Sequence, residues 1–290
     1  MKKSFGESFF QALNVIIMSV VSLVMLLPVW HVLMHSLSRS DLSLTGGLFL
    51  WPRGFSLHAY KVVLRDALIG GAYVNTVIVT VLGTLLNLTM TFLAAYPLSN
   101  RNLRWRRPIQ YMIFFTMLFN GGIIPTYLLV RSLGLLDSLL SLVIPVSVSA
   151  YNIFVMRNFI ETLPDSLAES ARIDGASEWT ILFRIIVPLS KPAMAVLGLM
   201  YAVGHWNSWF NCIIYIKSTA RYTLQPIIRQ ILFTLGSSNF YGYDPDMGAA
   251  AMPKLVTMAV VVVATLPIIM VYPFLQRFFI KGVMLGAVKG

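Results

Sequence analysis

Six stretches of this chain, at about 13–37, 73–98, 108–130, 139–159, 193–216 and 254–276, are each long and apolar enough to cross a bilayer. A membrane-spanning helix needs about 20 mostly apolar residues at about 1.5 Å rise each. Lipid offers no hydrogen bonds, so such runs satisfy their backbone groups internally, as helices. The fold class that follows is an all-α integral membrane protein with about six transmembrane helices. Pro28, Pro97, Pro125, Pro145 and Pro267 lie in these runs or near their ends. Lipid-buried helices accept proline when neighbours satisfy the freed carbonyls.

Charge says the same. Of the 290 residues 57% are hydrophobic and 11% charged, whereas a soluble domain is about 25% charged. The net charge of +11 sits between apolar runs, which is the signature of membrane orientation and not of nucleic-acid binding. Arg101, Arg104, Arg106 and Arg107 crowd the short segment 100–107, which carries no acid. Short basic loops face the cytoplasm. With six spans, both termini then lie inside, and 38–72, the turn near 131–137 and 217–253 lie outside. Met1-Lys2-Lys3 has the charge of a signal peptide. The apolar run behind it is too long for one, so it reads as a retained first helix. Cys212 stands alone in an apolar run, a small buried hydrophobe. No soluble domain interrupts the chain, so 1–290 reads as a single transmembrane domain.

One segment, 161–192, between the fourth and fifth runs and on the cytoplasmic side, does not belong to the bilayer. Pro164 and Asp165 suit the start of a helix. Leu163, Leu167 and Ala171 recur every four residues as a narrow apolar stripe. Asp174-Gly175 is a turn signal, with glycine free to take positive φ after a helix. Ser177 is a cap for a second helix, in which Trp179, Leu182, Phe183 and Ile186 fall on one face. Pro188 and Pro192 end it. Glu169, Arg172 and Asp174 form the polar side. A helix lying on lipid favours Lys and Arg; this near-neutral pair favours a protein partner.

These residues resemble the coupling motif of binding-protein-dependent ABC importer permeases: Glu169, Ala171, Gly175, Ile185 and Pro188 match its pattern. Asp174-Gly175-Ala176 and Phe183 look like the carbohydrate-uptake, maltose-type branch. Ser170 and Val187 depart from the usual Ala and Leu. The stretch Asn120-Gly-Gly-Ile-Ile-Pro-Thr-Tyr-Leu-Leu-Val-Arg-Ser-Leu-Gly134 and the ending Lys281-Gly-Val-Met-Leu-Gly-Ala-Val-Lys-Gly290 are similar to the subgroup importing complex or acidic oligosaccharides. The resemblance implies a type I importer permease fold in a bacterial cytoplasmic membrane. It implies four kinds of partner: a second permease subunit in a heterodimer, two ATPase subunits, an extracytoplasmic solute-binding protein and a sugar. Glu169, Ala171, Asp174, Gly175, Ala176, Trp179, Phe183 and Pro188 then make the ATPase coupling element. The packing of its two short helices is expected around Trp179 and Phe183. The chain has no G-x-x-x-x-G-K-[ST] phosphate loop, so ATP and Mg belong to the ATPase partner. No cofactor, metal or catalytic residue is expected here.

Polar groups inside spans are costly and face a cavity or a partner helix. The densest set is Trp206, Asn207, Trp209 and Asn211 on the fifth run, with the two asparagines four apart on one face. Aromatic faces and amides are what a sugar path requires; helix packing through hydrogen-bonded amides is the other reading. Asn120, Tyr151 and Asn152 are sparser members of the same class. Trp51 and Tyr60 read as interfacial anchors. A secondary transporter would carry acids in mid-span and an internal repeat. A membrane enzyme would cluster its histidines, whereas His31, His35, His58 and His205 are scattered.

Overall fold

The computed structural model describes residues 5–43, 47–236 and 252–287. Lys2, Lys3, Lys289 and the middle of the 217–253 loop lie outside the described residues. Among those described, the chain is helical, with one isolated bridge between Ser38 and Phe55. It divides into two compact units, 1–69 with 228–267 and 70–227 with 268–290.

In the first unit, α1 (Phe5–Ser36) is a single long helix with Pro28 inside it. Its span Phe9–Ser36 contains an 18-residue apolar window of which none is buried within the protein. Side chains such as Met25 (71% exposed) and Phe10 (66%) are left for lipid or a partner helix to cover. The segment read as an outer loop contains two short helices, α2 (Ser40–Ser43) and α3 (His58–Arg65). The Tyr60 hydroxyl lies 2.7 Å from that of Ser36. His31 accepts the Phe49 backbone N–H through Nδ1 at 2.9 Å, and His35 packs its ring 4.3 Å from that of Phe49.

The second unit holds the functional segments. α4 (Ala67–Ser99) is unbroken, with Pro97 in its last turn. The third run departs from expectation. It is two helices, α5 (Arg106–Leu118) and α6 (Ile123–Ser132), set at 111°. The break falls at Asn120-Gly121-Gly122, where Gly122 takes φ +88° and Pro125 sits in the first turn of the new helix. The fourth run is also bent, by 54°, between 3-10 turns at Leu139–Leu142 and Ile144–Val146 and α7 (Ala150–Ile160). Ser149 caps α7 by accepting the Asn152 N–H.

Beyond α7 come α8 (Asp165–Ile173), α9 (Glu178–Ile181), a π turn (Leu182–Ile186) and α10 (Val187–Leu189). α11 (Lys191–Trp206) leaves this segment at 80°. Pro192 therefore opens α11 instead of closing the helix before it. The fifth run ends early, at Trp206. After a break at 207–209 comes α12 (Phe210–Tyr215), so Asn207 and Asn211 share no helix face. α13 (Leu224–Gly236) follows inside the stretch read as a loop, and α14 (Met252–Ala287) completes the chain. Counting each bent pair as one span gives six spans by length and composition.

Two apolar clusters hold the second unit. One joins Phe92, Ala95 and Leu98 of α4, Ile153, Met156 and Ile160 of α7, Ile181, Leu182 and Ile186 of the loop, and Leu197 and Tyr201 of α11. The other joins Val79, Val130, Leu142, Cys212 and Tyr215. Cys212 is fully buried there. At this end Asp137 (φ +58°) is the pin: its carboxylate accepts the Lys217 and Ser218 N–H groups at 3.0 and 2.9 Å and pairs with Arg221 at 2.9 Å. The Ser218 N–H foremost holds that carboxyl below its ordinary range.

Candidate functional site

The loop between α7 and α11 is anchored before it begins. Glu161, the residue after α7, is gripped by Arg157 at 3.0 Å and by Arg106, which also donates through Nε to the Leu98 carbonyl at 2.9 Å. Arg106 thus does more than mark a membrane face. It ties the ends of α4, α5 and α7 together.

α8 ends as expected. Gly175 takes φ +80°, the Gly175 N–H bonds to the Arg172 carbonyl at 3.0 Å, and the Ala176 N–H reaches the Ala171 carbonyl at 2.9 Å. This pair of bonds satisfies carbonyls that a helix end leaves open. Ser177 accepts from the Thr180 N–H and caps α9. Leu163, Ala168, Ala171 and Ala176 pack on the cluster shared with α4, α7 and α11, so the loop is seated on the spans.

The second helix buries half of the face its sequence suggests, Leu182 and Ile186, and not the other half. Ile181 (0% exposed), Leu182 and Ile186 go inward, while Trp179 (64%) and Phe183 (57%) stay out. Four α-helical residues running into a π turn do not keep the 3.6-residue register, so the inward face is rotated. The rings of Trp179 and Phe183 stack at 6.0 Å, 12° from parallel. Ile173 is 86% exposed, and Glu169 and Asp174 are exposed on α8 and at its end. The outer side of the loop is therefore apolar and acidic, and held by a buried underside.

Tyr96 and Glu178, unremarked from sequence, complete the local network. Arg172 donates to Glu178 at 2.7 and 3.3 Å across the Gly175 turn, and the Tyr96 hydroxyl of α4 donates to Glu178 at 2.5 Å. A cleft of about 670 Å³ opens beside them, lined among others by Tyr96, Arg101, Glu161, Glu169, Arg172 and Glu178.

At the other end of α11 the polar set separates. Trp206 is buried and meets Tyr73 edge-on at 5.7 Å. Asn207 caps α11, exposed, and its Oδ1 accepts from Gln225 Nε2 at 3.4 Å. Trp209 is half-buried against Phe210 at 5.5 Å, and Asn211 lies in α12. Tyr151 is exposed in the first turn of α7, and Asn152 beside it is buried, with an Oδ1 that has no hydrogen-bond partner among the described residues. Asn120 accepts the Gly122 N–H at 3.0 Å in the α5–α6 break. Below Trp206, His205 Nε2 donates to Asn87 Oδ1 at 2.6 Å, and the Asn87 amide nitrogen donates to the Val146 carbonyl at 2.6 Å. Asn87 is fully buried; an asparagine in mid-span was the visible signal for it.

Broken spans around buried polar groups, with a helical pair seated on their core, suit a chain that passes a solute through the bilayer. The family described as binding-protein-dependent transport system inner membrane component matches residues 87–284, and the chain belongs to it. It is 41% identical over 271 residues to the polygalacturonan/rhamnogalacturonan transport system permease protein YtcP of Bacillus subtilis, covering 93% of this chain and 94% of that one. It is 38% identical over 281 residues to protein LplC of the same organism, covering 97% and 95%. Its fold matches a solved bacterial ABC transporter involved in the import of the acidic polysaccharide alginate, with TM-score 0.87, 31% identity and coverage of 96% and 99%. The chain is thus a multi-pass inner-membrane permease of the type I importer fold.

Proposed function

We propose that this permease imports an acidic or otherwise complex oligosaccharide, and that 161–192 couples it to a separate pair of ATPase subunits. The observation that carries the reading is the loop itself: an exposed aromatic and acidic surface on a turn whose underside is built into the spans. Glu169, Asp174, Trp179 and Phe183 dock on the ATPase. Gly175 sets the turn, Ala171 and Ala176 seat it, and Pro188 leads into α11. ATP and Mg bind the partner, since the chain has no phosphate loop. A second permease subunit and an extracytoplasmic binding protein complete the assembly. The substrate class rests on relatives named for polygalacturonan, rhamnogalacturonan and alginate.

Asn207, Trp209 and Gln225 at the α11–α12 break are the best placed to meet a sugar, with Trp206 supporting them from below. Asn211, Asn120, Tyr151 and Asn152 are weaker members of that path. In proteoliposomes holding the whole complex, uptake of an oligogalacturonide should require ATP and exceed that of a neutral oligosaccharide of equal length. Asn207→Ala and Trp209→Ala should each slow uptake about two- to tenfold, the worth of a hydrogen bond or two, with assembly intact. Unchanged rates and selectivity in both would assign these residues to packing.

The termini lie in the cytoplasm and 217–253 outside, by the arginines of 100–107. A cysteine introduced at Thr219 should react with an impermeant reagent added to spheroplasts, and one at Asn102 should not. The reverse pattern would invert the topology.

A further inference from the structure

The chain connects the loop to α11 directly, through Pro188. Nothing covalent nearby connects it to α4, whose last turn holds Tyr96, 82 positions before Glu178. Yet α4 and α11 are bonded to each other: Thr91 and Tyr201 hydroxyls are 2.7 Å apart, and His205 meets Asn87 at 2.6 Å. A loop that pulled only on α11 would shear these contacts.

Glu178 adds a directional polar link to the apolar packing and the Arg106–Glu161 tie that already seat the loop against α4. Its carboxylate is held by Arg172 from α8 and by Tyr96 from the last turn of α4. An exposed ion pair by itself contributes little, and the Arg172–Glu178 pair is 41% and 58% exposed. The Tyr96 bond differs, because an O–H donating to a carboxylate at 2.5 Å is short, directional and charge-assisted. It fixes the start of α9 to α4 at one point, on the wall of the cleft that both line. Beneath it, Ile181 and Leu182 share a core with Phe92, Ala95 and Leu98.

We propose that Tyr96 and Glu178 form a strut that makes α4 follow the coupling loop, so that α4 and α11 move as one body in the transport cycle. The proposal rests on the coupling role given to the loop above. Tyr96 and Glu178 are positioning residues; neither is placed on the docking surface or the sugar path.

The test uses the whole complex in proteoliposomes with saturating loaded binding protein. Tyr96→Phe removes one oxygen and Glu178→Gln one charge. Each should keep ATPase association and stimulated hydrolysis within about twofold of wild type, while sugar imported per ATP falls about threefold or more, at least the scale of one net hydrogen bond. The double variant should lose less than the two singles combined, because phenylalanine deletes and glutamine weakens the same bond. A wild-type sugar-to-ATP ratio in Tyr96→Phe, or losses that add in the double variant, would overturn the strut. Should Glu178→Gln fail to assemble, Tyr96→Phe alone decides. Glu169→Lys tests the loop separately: normal docking and uptake there would overturn the coupling role and leave the strut's signature unmatched.

Discussion

Gly175→Val is expected to leave the permease inserted in the membrane and to abolish its coupling to ATP. The turn holds φ at +80°, a region costly for any side chain and worst for a β-branched one. A Cβ built at Gly175 meets nothing within 4 Å, so steric crowding by neighbours is not the cause. The whole cost is backbone strain, about 1–3 kcal/mol. That exceeds what one exposed ion pair across the turn returns, so the turn opens and Trp179 and Phe183 lose their set position. Uptake should fall at least about tenfold. Gly175→Asn should be far milder, since asparagine enters the left-handed region more readily. Glu169→Lys attacks the same interface by charge, at about 2–5 kcal/mol of docking free energy if the contact is buried. Cell-surface labelling checks insertion; ATPase co-purification and uptake check coupling. Valine at 175 with wild-type docking and uptake would remove the loop from the mechanism.

The Gly175 turn was legible because it is local: Asp174-Gly175, Ser177 and their spacing lie within one short segment. The span count was legible for a similar reason, since length and hydropathy decide it. The bends were not. Hydropathy is blind to direction, and 108–130 scores as one run although α5 and α6 meet at 111°. Asn120-Gly121-Gly122 and Pro125 did mark the place. The break after Trp206 left a fainter trace, because Asn207 and Ser208 in an otherwise apolar run read equally well as a polar helix face. The inward face of the second loop helix was half legible, at Leu182 and Ile186; Trp179 and Phe183 stay out because the pattern assumed an α-helical period through a π turn. Least legible were the long-range polar links. Tyr96 and Glu178 are 82 positions apart, and Asn87 and His205 are 118 apart. Nothing in one sequence says which polar residues on separate helices will meet.

That last contact sets up a test in which two principles disagree about the sign. Gly83 lies inside α4, where replacing glycine by alanine ordinarily stabilises a helix by about 1 kcal/mol. Here a Cβ at Gly83 would stand 2.4 Å from His205 Nε2, 2.5 Å from Cε1 and 2.8 Å from Cδ2. The imidazole lies on bare α4 backbone, and it is not free to swing away. Its Nε2 is bonded to Asn87, itself fixed to the Val146 carbonyl in the 3-10 segment before α7. Overpacking costs about 1–3 kcal/mol, and a buried hydrogen bond pulled apart costs about 1–3 more. Together they outweigh helix propensity, so Gly83→Ala should lower thermal stability in detergent, by about 1–5 kcal/mol net. The ring sits two residues before Asn207, so uptake should fall with it. His205→Ala alone also destabilises, by stranding Asn87. In that background, however, the added methyl meets open space, and Gly83→Ala should become neutral or stabilising by the propensity term. The sign reversal separates a clash with one ring from general intolerance of α4. A Gly83→Ala variant as stable as wild type, or one equally harmful with and without the imidazole, would show that the close approach of these two helices does not depend on the missing side chain.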